Sequence, residues 1–140
     1  MKKIVLATLI AILLALSLAA CGGNQTQNTP AVSASVTGTV NKRDRKAIAP
    51  SDTIEIRLVD KSAPEQPLGQ QDIHAGGKQL PLPFEIQYNP DDIAADKIYE
   101  IQVQIVKGSG DVIYTDVEEY PVITQGNSTS NIEVFVEPVQ

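Results

Sequence analysis

One cysteine, one histidine and no tryptophan in 140 residues remove several classes of function at once. A lone cysteine, Cys21, forbids an intramolecular disulfide, so a folded body must hold by its core alone. A lone histidine, His74, has no cysteine or histidine companions to complete a zinc site or a serine-type triad, and it reads as a strand histidine at the surface. Aromatic residues make up only 4% of the chain, which leaves little to stack on sugar rings. Basic residues are outnumbered, 11 against 17 acidic, which argues against nucleic acid as a partner. No nucleophile elbow follows a strand, and no phosphate-binding glycine pattern is present. Enzymatic activity, a metal and a dissociable cofactor are therefore not expected.

The one long apolar run stands at the N-terminus. Lys2 and Lys3 precede the stretch from Ile4 to Leu18, and small residues follow it, giving the three parts of a secretory signal. The ending Leu18-Ala19-Ala20-Cys21 resembles the bacterial lipobox. That resemblance implies a diacylglyceryl group on the Cys21 thiol, cleavage before Cys21, and acylation of the new amine. Three acyl chains at about 0.8 kcal/mol per buried methylene make such an attachment effectively permanent. Two plainer readings are an uncut transmembrane anchor, since the run nears the lower limit of about 17 residues for a span, and a free or intermolecularly paired thiol. Neither explains the cysteine's position. Gly22 stands where an Asp commonly retains such proteins at the inner membrane, which favours the outer membrane and a domain facing the periplasm.

The chain thus divides into a signal segment, 1–20, a lipidated cysteine with a flexible tether, 21–33, and one folded domain, 34–140. The tether, from Gly22 to Pro30 and a little beyond, is uncharged and almost devoid of apolar residues. Loss of the two signal lysines leaves 9 basic against 17 acidic residues, a formal charge of −8. An acidic body would be repelled by anionic head groups, so the lipid must do the anchoring.

From Ala34 onward the apolar period is two, which predicts an all-β body. The clearest strands are Ile54–Leu58, Ile101–Ile105 and Ile132–Val136, with Val36–Val40, Gln71–His74, Leu82–Tyr88 and Val112–Thr115 completing about seven. Their number and the turn signals between them predict a single antiparallel β-sandwich, in preference to a small barrel. Pro81 and Pro83 remove alternate backbone donors, which confines that segment to a sheet edge and blocks pairing with another molecule there. Asn89-Pro90-Asp91-Asp92 resembles a calcium loop at first sight. Its order instead fits a capped helical turn, with Asn at the cap, Pro at the first position and carboxylates at the positive end of the dipole.

Lys42-Arg43-Asp44-Arg45-Lys46 is the only basic run and reads as a solvated loop between the first two strands. The sharper alternative makes Lys42, Arg43, Arg45 and Lys46 a contact for lipid phosphates or for an acidic partner. Val59, Val106 and Phe135 are apolar residues on mostly polar faces, candidates either for an exposed binding patch or for covering a second sheet face.

The order of segments resembles the YbaY and YscW-like family of small bacterial lipoproteins. The matching pieces are Val36-Thr37-Gly38-Thr39-Val40 with Arg45 and Pro50, Leu58-Val59-Asp60-Lys61-Ser62, Gln79 to Tyr88, Ile98-Tyr99, and Tyr120-Pro121-Val122. Lys46 and Ala49 depart from the pattern. The resemblance implies a β-sandwich lipoprotein without enzymatic activity and, for secretion-associated relatives, a pilotin role toward an outer-membrane secretin. The expectation is a non-enzymatic envelope binding or assembly module with a protein partner. The alternative is a periplasmic lipid- or small-ligand-binding module, which a pocket lined by core residues would favour.

Overall fold

The protein was analysed as a computed structural model that describes residues 33–140. The signal segment 1–20, the lipobox residues Leu18, Ala19, Ala20 and Cys21, and the tether up to residue 32 lie outside the described residues. All seven expected segments are strands: β1 Ala34–Lys42, β2 Thr53–Asp60, β3 Pro67–His74, β4 Leu82–Tyr88, β5 Tyr99–Val106, β6 Val112–Asp116 and, last in the chain, β8 Ile132–Pro138. The two-residue strand β7, Pro121–Val122, is additional. It is too short to carry a period.

The strands form one sheet in the order β3-β2-β5-β6-β8-β1-β4, with β7 beside the start of β5. Its two ends come together. Gly69 of β3 lies against Ile86 and Gln87 of β4, where no side chain would fit, and the Glu85 N–H donates to Gln71 Oε1 at 2.9 Å. The sheet therefore curls into a nearly closed sandwich, as expected, with one departure from a purely antiparallel pattern. β1 and β8 run parallel, Gly38 opposite Ile132 through Lys42 opposite Val136, because the last strand returns to the first from the same end of the molecule.

Alternation places Val36 and Val40 of β1, Ile54, Ile56 and Leu58 of β2, and Ile86 of β4 in the interior, where all are fully buried. Tyr99, Ile101, Val103 and Ile105 of β5 and Val134 and Val136 of β8 join them. At about 1.5–3 kcal/mol per buried large apolar side chain, this layer is the main stabilising term and takes the place of a disulfide. β4 pairs with β1 alone, the edge position that Pro81 and Pro83 require. Asn89 Oδ1 accepts the Asp91 N–H at 3.1 Å and caps a single 3-10 turn, Pro90–Asp92.

The three outward apolar residues do not make a patch. Val59 is completely buried, while Val106 and Phe135 are half-buried. The large apolar residues left exposed among the described residues are Ile98, Val112, Val117 and Val139.

Candidate functional site: a basic cleft at one end of the sandwich

Pairing fixes the direction of each strand: β1, β3, β5 and β8 run one way and β2, β4 and β6 the other. Residues 43–52, 75–81 and 107–111 therefore gather at one end, together with the residues after Pro138. Ala34, where the chain enters the domain, lies at the opposite end with residues 61–66, 89–98 and 123–131, and residues 117–120 run from β6 toward that end.

Loop 43–52 is held from several sides. Ile48 is buried, its N–H donates to Gln79 Oε1 at 3.1 Å, and Gln79 Nε2 donates back to its carbonyl at 3.2 Å. The side-chain amide thus acts as a one-residue strand partner. Asp52, also buried, accepts the Ala49 N–H at 2.8 Å, and its carbonyl accepts the Ala75 N–H at 2.9 Å. Neither Gln79 nor Asp52 stood out in the sequence, although Pro50-Ser51-Asp52 carries turn chemistry that marks the bend.

The basic run is only partly solvated, which corrects the loop reading. Lys42 is the last residue of β1, and its side chain is 7% exposed. Its ammonium sits 2.5 Å from Asp44 and 5.3 Å from the centre of the Tyr114 ring, and it also donates to the Lys46 carbonyl. Arg43 bridges Glu137 at 3.1 Å and Glu118 at 3.2 Å while covering the Phe135 ring. Arg45 and Lys46 are exposed and pair with no described carboxylate. His74 Nδ1 meets Thr53 Oγ1 at 2.9 Å across the β2–β3 pair, a satisfied strand histidine.

Between loop 43–52, turn 107–111 and the paired β6 and β8 lies an open cleft of about 840 Å³. Lys46 and Lys107 supply its positive charge and Asp52 a buried carboxylate, Ala47, Ala49, Ile113 and Pro138 its apolar wall, and Tyr114 also lines it. The Tyr114 hydroxyl donates to Asp44 at 2.8 Å. Lys42 and then Tyr114 hold the Asp44 carboxyl below the usual carboxylate range, and burial, then Asp44, push the Tyr114 phenol up to about 12. A phenol whose pKa is raised by folding favours the native state fully below its ordinary value near 10 and loses that contribution as pH rises toward 12. Phenolate absorbance in a pH titration should show a late-titrating component that shrinks in Tyr114→Phe, leaving Tyr120, which burial also pushes up. That variant should also lose less stability than the parent between pH 10 and 12.

At the opposite end Asp60, 8% exposed at its side chain, accepts from Lys97 Nζ at 2.5 Å and from the Ser62 N–H at 2.9 Å. These contacts, the Lys97 hydrogen bond foremost, hold its carboxyl down at about 2. The residues there fix connections between strands.

The described residues thus form a small curled β domain whose polar clusters hold its loops and whose cleft end carries an open, basic-rimmed hollow. The chain belongs to the family described as type III secretion system lipoprotein chaperone (YscW), which it matches over residues 31–134. It is 32% identical over 108 residues to the uncharacterized lipoprotein YbaY of Escherichia coli (strain K12), an alignment that covers 75% of this chain and 55% of that relative. The chain thus spans about half the length of the curated relative it matches. Among solved structures, an alternative pilotin from the type II secretion system of Vibrio cholerae shares the fold, with a TM-score of 0.67 and 24% identity, over 78% of this chain and 99% of that one. The family resemblance read from Val36 to Val122 is therefore correct. Membership places the chain among accessory lipoproteins described by a chaperone role and not by a reaction.

Proposed function

We propose that this protein is an outer-membrane lipoprotein, attached through lipid on Cys21 after removal of residues 1–20, whose domain faces the periplasm and assists assembly of another envelope protein in the manner of a pilotin. The observation that carries this reading is the reach of the family match, 31–134, which takes in nearly the whole folded body. The ligand-module alternative is less well supported. Fully buried Ile54, Ile56, Leu58, Ile86, Ile105 and Val134 fill the space between the sheet faces where an apolar ligand would sit, and none of them lines the open cleft.

Metabolic labelling with palmitate tests the anchor. The wild-type protein should take up label and fractionate with the outer membrane, and Cys21→Ser should take up none and keep residues 1–20. Label that persists in Cys21→Ser, or an unlabelled wild-type protein, refutes the anchor. Crosslinking of the lipidated protein in cells tests the assembly role: one identified outer-membrane assembly should dominate the captured species, and its absence would refute that role.

A further inference from the structure

We propose that the cleft between loop 43–52 and turn 107–111 receives an acidic, partly apolar segment of the partner polypeptide, with Arg45, Lys46 and Lys107 reading its charge. The inference rests on the assembly reading above and adds the docking face and the chemistry of the partner.

Charge is segregated along this domain. Residues 33–140 carry 9 basic and 17 acidic side chains, yet six of the nine bases, Lys42, Arg43, Arg45, Lys46, Lys78 and Lys107, lie at the cleft end. Asp44, Asp52 and Asp111 accompany them in those loops, and Glu118 and Glu137 reach Arg43. Lys42 and Arg43 are occupied by Asp44, Glu118 and Glu137; Asp52 is buried against the Ala49 N–H; Asp111 accepts from Ser109 Oγ at 2.9 Å. That leaves Arg45, Lys46, Lys78 and Lys107 without a described carboxylate, and of these Lys46 and Lys107 stand on the rim of the same cleft. Everywhere else the domain is acidic. An acidic segment is repelled by the strand faces and the far end, and its encounter is steered to this one place.

The cleft is also suited to more than charge. Beside its apolar wall, Val112 and Val139 remain 41% and 50% exposed, next in sequence to the lining residues Ile113 and Pro138. The Gln79 clamp on Ile48 and the Asp52 turn fix the loop in advance, so little ordering is required on binding.

A lipid surface fits these observations less well. The chain enters the domain at Ala34, at the far end of β1, roughly 30 Å from the cleft at about 3.3 Å for each of its nine residues. Asp60, Glu65, Asp91, Asp92, Asp96 and Glu119 cluster at that end, against Lys61 and Lys97. A flat anionic surface brought to the cleft also meets the acidic side chains around it, whereas a single polypeptide segment does not.

The test places a photo-crosslinking amino acid at Ala47 in the full lipidated protein in cells, with the same probe at Gln102 on the outer sheet face as comparison. The partner captured by the unmodified protein should crosslink from position 47, through a peptide that mass spectrometry shows to be acidic. Lys46→Glu combined with Lys107→Glu should reduce that capture at least tenfold, and Lys61→Glu at the far end should not, with thermal midpoints and membrane attachment unchanged in both. Capture of the known partner from position 102 alone, or undiminished by the double reversal, overturns the cleft assignment and leaves the assembly reading standing. Lipid at position 47, or the acidic end of a second copy of this chain, also overturns it. No captured envelope protein from any position overturns both.

Discussion

Gly38→Val is expected to cost about 3 kcal/mol or more and to lower the thermal midpoint by roughly 10 °C or more. Gly38 sits mid-strand in β1, opposite Ile132 on one side and Phe84 on the other. A β-carbon there would run into the Ile132 carbonyl oxygen and stand 2.8 Å from two carbons of the Phe84 ring, which is itself only 4% exposed. The obstacle is backbone on one side and a buried ring on the other, so neither yields cheaply. Overpacking a filled core costs about 1–3 kcal/mol and sometimes more, and a blocked β1 also loses its pairing with β8, against a total stability of about 5–15 kcal/mol for a domain of this size. Circular dichroism melts decide it. A valine variant that unfolds within a few degrees of the parent would show that the β1–β8–β4 layer can open, contrary to the packing described.

Tyr99→Ala should lose about 3–5 kcal/mol of stability, the range for deleting a buried aromatic side chain, whereas Tyr99→Phe should lose about 1 kcal/mol. The ring is 1% exposed at the start of β5, and its hydroxyl receives the Ala94 N–H at 2.9 Å. The same residue thus fills the core and ties down the connection that follows the 3-10 turn. Urea midpoints for the two variants separate these roles. Equal losses would mean that the hydrogen bond, and not the ring, carries the effect.

Much of this architecture was legible in the chain because each strand buries one face. Ile54-Glu55-Ile56-Arg57-Leu58 and Ile101-Gln102-Val103-Gln104-Ile105 announce their inner residues by strict alternation, and the paired prolines at 81 and 83 announce an edge. The order of the strands is set by contacts between residues far apart in sequence and has no local signature, so neither the parallel β1–β8 pair nor the short β7 was foreseeable. The cleft was hidden for the same reason. Lys46 and Lys107 stand about sixty residues apart, and only the strand directions reveal that they share a rim. The reading of Lys42 as solvated failed because its companion, Tyr114, comes from β6 and offers both a ring face and, through Asp44, a negative charge.

The parallel junction of β1 with β8 sets the order in which the domain can close. Gly38 pairs with Ile132 across nearly the whole length of the described domain, so almost every strand between them must be in place before β1 gains its second neighbour. Non-local strand pairing of this kind is slow to form. The sheet therefore closes late in folding, and the domain locks only once β8 has joined β1.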